Sequence, residues 1–185
     1  MQTGSDGNNL LGEEALGYLD ALFGYAMALT RDKSEAEDLV QETYLRAVRG
    51  ANQLGPDSNL RSWLFVIMRN AWLNQLRHKK NGPSFVQIDP DEPGVVGTTS
   101  ESRSNPHIVY LRKIDRQQVR EAIEKLPGPY REIVVLRDLE GFSYHEIASV
   151  LDCPAGTVMS RLARARAKLR ETLSSWYNKR AIRAS

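Results

Sequence analysis

The sequence predicts an all-α protein: two small helical domains joined by a flexible linker, the second containing a helix-turn-helix. Three observations carry this. Apolar residues recur at spacings of three and four in nearly every segment, and no alternating strand pattern persists. That periodicity stops over residues 81–106, which are rich in Pro, Gly, Ser, Thr and Asp. Near the C-terminus a short capped helix, a tight turn and a long basic helix follow one another. The 185 residues are enough for one mid-sized domain or two small ones.

The elements follow in order. From Glu13 to Leu29 the residues Ala15, Leu16, Leu19, Leu22, Phe23, Ala26 and Met27 form one helix face. Ser34, with Glu37 three residues on, is expected to cap a second helix that turns Ala36, Leu39, Val40, Thr43, Tyr44, Ala47 and Val48 inward and ends near Gly50. Residues 51–59 are turn-rich. A third helix runs from about Leu60 through Lys80, its apolar face made of Trp63, Leu64, Ile67, Ala71, Trp72 and Leu76. After the linker, helices resume near Ile108, with Leu111, Ile114, Val119, Ala122, Ile123 and Leu126 on one face and Pro127 to Pro129 as the stop. Tyr130 to Asp138 reads as a short helix broken by Gly141. Ser143 and Glu146 form a capping box for a helix through Leu151. After the turn at Asp152 and Cys153, Pro154 occupies the expected first position of a final helix reaching about Tyr177.

Net charge is only +2, but it alternates along the chain. Residues 1–60 hold 4 basic and 10 acidic side chains, and residues 61–80 hold 5 basic and none acidic. Residues 81–111 are net −3, and residues 112–185 hold 15 basic and 9 acidic. Basic segments neutralise phosphates and release counterions, whereas acidic ones are repelled by DNA and need another partner. The pattern therefore suggests two DNA contacts and a separate protein contact.

The final helix carries the strongest signal. Val158, Leu162, Ala165 and Leu169 face the core, leaving Thr157, Ser160, Arg161 and Arg164 for a major groove. Residues 161–183 hold eight basic side chains against one acid, where a solvated face mixes signs. Small Ala155 and Gly156 allow close approach to phosphates. In the first basic block, Arg61, Arg69, Arg77, Lys79 and Lys80 interleave with Trp63, Phe65 and Trp72, which suits unstacked bases, although the two tryptophans read first as core. In the acidic second helix, Glu35, Glu37, Asp38, Gln41 and Glu42 project mostly from one side.

These motifs resemble a known family. Ala36 to Arg46 (AEDLVQETYLR) resembles region two of extracytoplasmic-function (ECF) sigma factors, and Leu60 to Asn70 (LRSWLFVIMRN) with Leu76 to Lys80 (LRHKK) is similar to its promoter-melting helix. Leu126 to Glu132 (LPGPYRE), Gly141 to Ala148 (GFSYHEIA) and Gly156 to Arg166 (GTVMSRLARAR) resemble region four. The resemblance spans about residues 14–173, and it implies region two over 10–80, the linker over 81–106 and region four over 107–179. It implies docking of Asp38, Gln41 and Glu42 on the clamp helices of the largest subunit of core RNA polymerase, with the flap of the second-largest subunit as a further contact. It assigns Arg61, Trp63, Arg69, Asn70, Arg77, Lys79 and Lys80 to minus-ten promoter DNA, where the helix around Asn70 and the loop 51–59 capture an unstacked base. It assigns Pro154, Thr157, Ser160, Arg161, Arg164 and Arg166 to the minus-thirty-five element. The linker is expected to thread toward the RNA exit path. A stress or envelope response under an anti-sigma factor is also implied. Met159 and Ala163 depart from the family, which more often has Lys or Arg and a larger residue there.

Other classes fit less well. His78, His107 and His145 are isolated, and there is no nucleophile–base pair or Gly-rich phosphate loop, so no catalytic residue, metal or cofactor is expected. A regulator with a single helix-turn-helix would not need the acidic helix or the first basic block. A sigma-like adaptor without DNA binding would not need Arg161, Arg164 and Arg166. The lone Cys153, the polar N-terminus and the lack of an apolar run of membrane length point to a cytoplasmic protein without membrane insertion.

Overall fold

The computed structural model describes residues 13–55, 58–81 and 116–183, with side chains to Lys79 in the second stretch and to Trp176 in the third. Among these residues every regular element is helical. The expected linker, apart from Asn81, and the inward positions Leu111 and Ile114 lie outside them.

A turn of helix over 13–16 is set off from α1 (Leu19–Thr30) by a tight turn in which the Gly17 and Tyr18 amides donate to Glu14 and Ala15 carbonyls. The expected single helix is therefore broken there. Leu16 is 59% exposed and Leu19 also faces solvent, while Leu22, Tyr25 and Ala26 carry the core face. α2 (Lys33–Gly50) is capped by Asp32, whose carboxylate accepts from the Glu35 amide at 2.8 Å, and not by Ser34. Extended φ and ψ at Asp32 place its side chain over the first free N–H groups, and Ser34 is already inside the helix. Ala36, Leu39, Val40, Thr43 and Ala47 are buried as expected, whereas Val48 is 63% exposed.

α3 (Leu60–Asn81) buries Leu60, Leu64, Phe65, Met68 and Ala71. Its buried face is thus rotated from the expected one. Trp63, Ile67 and Trp72 are half-buried at the rim, and Phe65 and Met68 form the centre. Phe65 stacks on Tyr25 with ring centroids 5.0 Å apart.

The C-terminal half contains α4 (residues 116–124), α5 (Gly128–Val134), α6 (Tyr144–Leu151) and α7 (Ala155–Arg183). Val119, expected inward, is exposed, and Ala122, Ile123 and Leu126 are buried. α5 continues into a π turn, Val135–Leu139, in which the Glu140 amide donates to the Val135 carbonyl. The wider turn buries Val135 and Leu136 and leaves Leu139 exposed, a register that a 3.6-residue period does not anticipate. Gly141 follows at φ 72°, a left-handed position suited to glycine.

The two halves share one core. α1 packs on α5, α3 packs on α6, and Phe142 meets Phe65 at 4.8 Å between centroids. Arg131 is buried at this junction. Its guanidinium donates to the carbonyls of Ala28, Glu124 and Leu126, joining the end of α1 to the end of α4. Burial, reinforced by nearby Arg31, lowers the Arg131 pKa to about 10.

Candidate polymerase and nucleic-acid interfaces

Three surfaces hold the candidate residues. On α2, Asp38 and Gln41 are exposed, and Glu42 accepts from Arg46 Nε at 2.6 Å one turn on. Asp38, Gln41 and Glu42 lie three and four apart and so share one side of the helix. Leu45 and Val48, both exposed, continue the same row toward the C-terminus. The sequence reading missed this apolar extension. The steps of four and then three residues from Gln41 to Leu45 and Val48 were legible, but an apolar residue at helical spacing reads first as core.

The first basic block divides in two. Arg61 Nη2 donates to the Glu140 carbonyl at 2.5 Å and to its carboxylate at 2.8 Å, and its guanidinium lies 4.4 Å from the Phe142 centroid. Arg69 Nε donates to Glu132 Oε1 at 2.9 Å. Both arginines thus face the C-terminal half. The remaining candidates lie away from it. Asn70 and Arg77 are exposed, and Arg77 donates to Asn74. Lys79 pairs with Glu35 at 2.6 Å, and Lys80 lies in the last turn of α3. Trp63 is half-buried over Gly50, where an added Cβ would stand 3.4 Å from the ring.

The third surface is built by the helix-turn-helix. The Ser143 hydroxyl accepts from the Glu146 amide, and the Glu146 carboxylate accepts from the Ser143 amide, completing the expected capping box. The Ser143 contacts hold the Glu146 carboxyl below the usual carboxylate range. α6 ends at Asp152, which takes the left-handed conformation that Asp tolerates. α7 starts at Ala155, one residue later than expected, because the Pro154 carbonyl accepts the Thr157 and Val158 amides while Pro154 itself stands before the first turn. The helix runs to Arg183, past the expected end at Tyr177.

Val158, Leu162 and Ala165 are buried, so α7 presents the predicted outer face. Pro154, Ser160 and Arg164 are exposed, and Thr157 and Arg161 are half-exposed. The Ser160 hydroxyl donates back to the Thr157 carbonyl, leaving its lone pairs outward. Arg166 pairs with Asp138 of the π turn through two nitrogens, which raises its pKa further. Met159 is 52% exposed in the same face. Among the described residues no His, Cys, Asp and Glu side chains gather in a metal-binding group, and no helix is long and apolar enough to cross a membrane.

A helix-turn-helix with an outward basic helix, joined to a helical unit with separate acidic and basic surfaces, defines a DNA-binding transcription protein. Sequence comparison makes this specific. Residues 16–82 match the family model for Sigma-70 region 2, and residues 116–169 match that for Sigma-70, region 4. The chain is 33% identical over 159 residues to the ECF RNA polymerase sigma factor EcfG of Rhodopseudomonas palustris (strain TIE-1), covering 86% of this chain and 82% of that relative. It is 37% identical over 134 residues to the ECF RNA polymerase sigma-E factor of Escherichia coli (strain K12), covering 71% and 70%. The sigma factor RpoE, solved in complex with the anti-sigma factor NepR from Bartonella quintana, matches at TM-score 0.69 and 31% identity over 88% of this chain and 96% of that one. CnrH, solved in complex with the cytosolic domain of CnrY, shares the fold at TM-score 0.61 and 24% identity over 94% and 92%. The chain belongs to the ECF family of RNA polymerase sigma factors, which act in transcription initiation. The family brings RNA polymerase and promoter DNA as partners and marks the chain as a transcription factor rather than an enzyme.

Proposed function

We propose that the chain forms two functional units, region two within 10–80 and region four within 107–179, that work together on one polymerase. Region two docks through Asp38, Gln41 and Glu42 on the clamp helices of the largest subunit, with Leu45 and Val48 adding apolar contact. The observation that carries this is the row on α2: two exposed polar groups, a carboxylate held by Arg46, then two exposed apolar side chains. Such a mixed row suits an interface better than a solvated face. Arg61, Trp63, Arg69, Asn70, Arg77, Lys79 and Lys80 then engage the minus-ten element as its strands separate. Pro154, Thr157, Ser160, Arg161, Arg164 and Arg166 engage the minus-thirty-five duplex, and region four contacts the flap of the second-largest subunit. The protein acts in the cytoplasm and is held in check by an anti-sigma factor, as RpoE of Bartonella quintana is found with NepR.

The test is core-polymerase binding by Asp38→Arg/Glu42→Arg. The reading expects a folded variant that has lost most of its affinity for core enzyme. Unchanged affinity would remove α2 as the docking element.

A further inference from the structure

We infer that Asp138, in the π turn, is a positioning residue for minus-thirty-five binding: it grips Arg166 by one edge of the guanidinium and so presets the other N–H groups for a backbone phosphate. This rests on the proposed place of Arg166 at that element.

The grip is two-pronged. Arg166 Nε donates to Asp138 Oδ2 at 3.2 Å, and Arg166 Nη2 donates to Asp138 Oδ1. A guanidinium carries five N–H groups, so this contact leaves three, two on Nη1 and one on Nη2. The Arg166 side chain is 42% exposed, so a ligand can reach it. A free arginine gives up rotamer freedom when it binds a phosphate, and one already held by a carboxylate gives up less.

The carboxylate stands on an anchored backbone. Val135 and Leu136 bury the start of the π turn, and the Glu140 amide closes it on the Val135 carbonyl at 2.9 Å. Next to Asp138, Arg137 Nη1 donates to the Phe142 carbonyl at 2.6 Å, and its guanidinium lies 4.8 Å from the Tyr144 ring centroid. The turn is thereby tied to the start of α6, while Asp138 reaches across to α7. Wide turns of this kind interrupt helices most often at functional positions.

Helical phase gives Arg166 a distinct task. At 3.6 residues per turn, Arg161 and Arg166 stand about 140° apart, one on each flank of the buried row Val158, Leu162 and Ala165. Arg164 falls on the side of Arg161. A helix in a major groove has a phosphate backbone along each flank. On Arg166's flank Met159 and Ala163 are exposed and uncharged, so in the first three turns of α7 that strand meets Arg166 as its cation. A contact made by one side chain depends most on that side chain being in place.

Two simpler accounts of the pair fail on magnitude or predict the opposite sign. A pair this exposed contributes little to folding, so stability does not require it. An anion beside a phosphate site repels DNA, so a carboxylate with no positioning role would weaken binding, and its removal would tighten it.

The experiment is equilibrium binding of holoenzyme to a labelled promoter duplex recovered by selection with the wild type. It compares wild type, Asp138→Asn, Arg166→Ala and the double variant at two salt concentrations. Arg166→Ala is expected to weaken binding about tenfold and to lower the salt slope by about one unit. Asp138→Asn is expected to weaken it about threefold, and to have no effect in the Arg166→Ala background. A role confined to folding would give the same loss in both backgrounds and would overturn the inference. Tighter or unchanged binding by Asp138→Asn would overturn it too, while leaving Arg166 at the minus-thirty-five element. Unchanged binding by Arg166→Ala would remove that placement and the inference with it. Thermal unfolding checks each variant, and Asp138→Ser takes the place of Asp138→Asn if the latter melts early.

Discussion

Tyr25→Phe removes one oxygen from the junction between the halves and nothing else. The Tyr25 hydroxyl is buried and donates to Glu132 Oε1 at 2.7 Å, across 107 residues of sequence. Burial and the adjacent Glu132 carboxylate push the Tyr25 pKa well up, which favours the neutral hydroxyl that donates this bond. A hydrogen bond to a charged acceptor contributes about 1.5–3 kcal/mol. Glu132 keeps Arg69, so the loss belongs in the middle of that range, about 2 kcal/mol. For a chain of this size that lowers Tm by roughly 4–8 °C. The stack on Phe65 survives, because the ring is unchanged. The assay is thermal and urea unfolding of wild type, Tyr25→Phe, Glu132→Gln and the double variant, read as a double-mutant cycle. Coupling of about 1 kcal/mol or more between the two sites is expected. Additive effects, or a Tyr25→Phe melting curve superimposed on that of the wild type, would refute the bond and with it the packing of α1 on α5.

Further outcomes follow from the other surfaces. Asp38→Arg/Glu42→Arg should leave Tm nearly unchanged, since the Glu42–Arg46 pair is partly exposed and such pairs contribute about 0–1 kcal/mol; a large drop would place these residues in the fold. Arg164→Ala should relax base preference at one minus-thirty-five position, while Arg161→Ala should weaken all sequences and reduce the salt slope by about one unit; selection from a promoter library at two salt concentrations separates them. Met159 should contact a thymine methyl, so replacing thymine by uracil in the minus-thirty-five duplex should cost holoenzyme about fourfold in affinity, and Met159→Ala should abolish that difference. Ser143→Ala should cost about 1 kcal/mol of stability at neutral pH. The depressed Glu146 carboxyl stabilises the fold above its unfolded pKa of about 4.3 and loses that contribution as pH falls through the folded value, so the variant should show a shallower stability loss in acid.

Much of this architecture was legible beforehand because it depends on local rules. The capping box at Ser143 and Glu146 and the inward row Val158, Leu162, Ala165 are set by spacing within one helix. The errors have equally local causes. Asp32 displaced Ser34 because cap choice depends on backbone angles, and both residue types qualify. The spacing of Val48 fits an inward position, but among the described residues nothing covers that side of α2. The π turn after α5 breaks the period on which the reading relied. The outer groups of α2 and α7 could be named from charge and helical phase. The engagement of Arg61 and Arg69 by Glu140 and Glu132 could not, because it joins residues far apart in sequence and no local pattern encodes it.

The most direct test of the central claim is run-off transcription by core RNA polymerase on a randomised promoter library, with and without this chain. Transcripts that depend on the chain should arise from templates sharing two sequence elements at a fixed separation, and Asp38→Arg/Glu42→Arg should abolish them. Transcription that is no more selective with the chain than without it would contradict the assignment as a sigma factor.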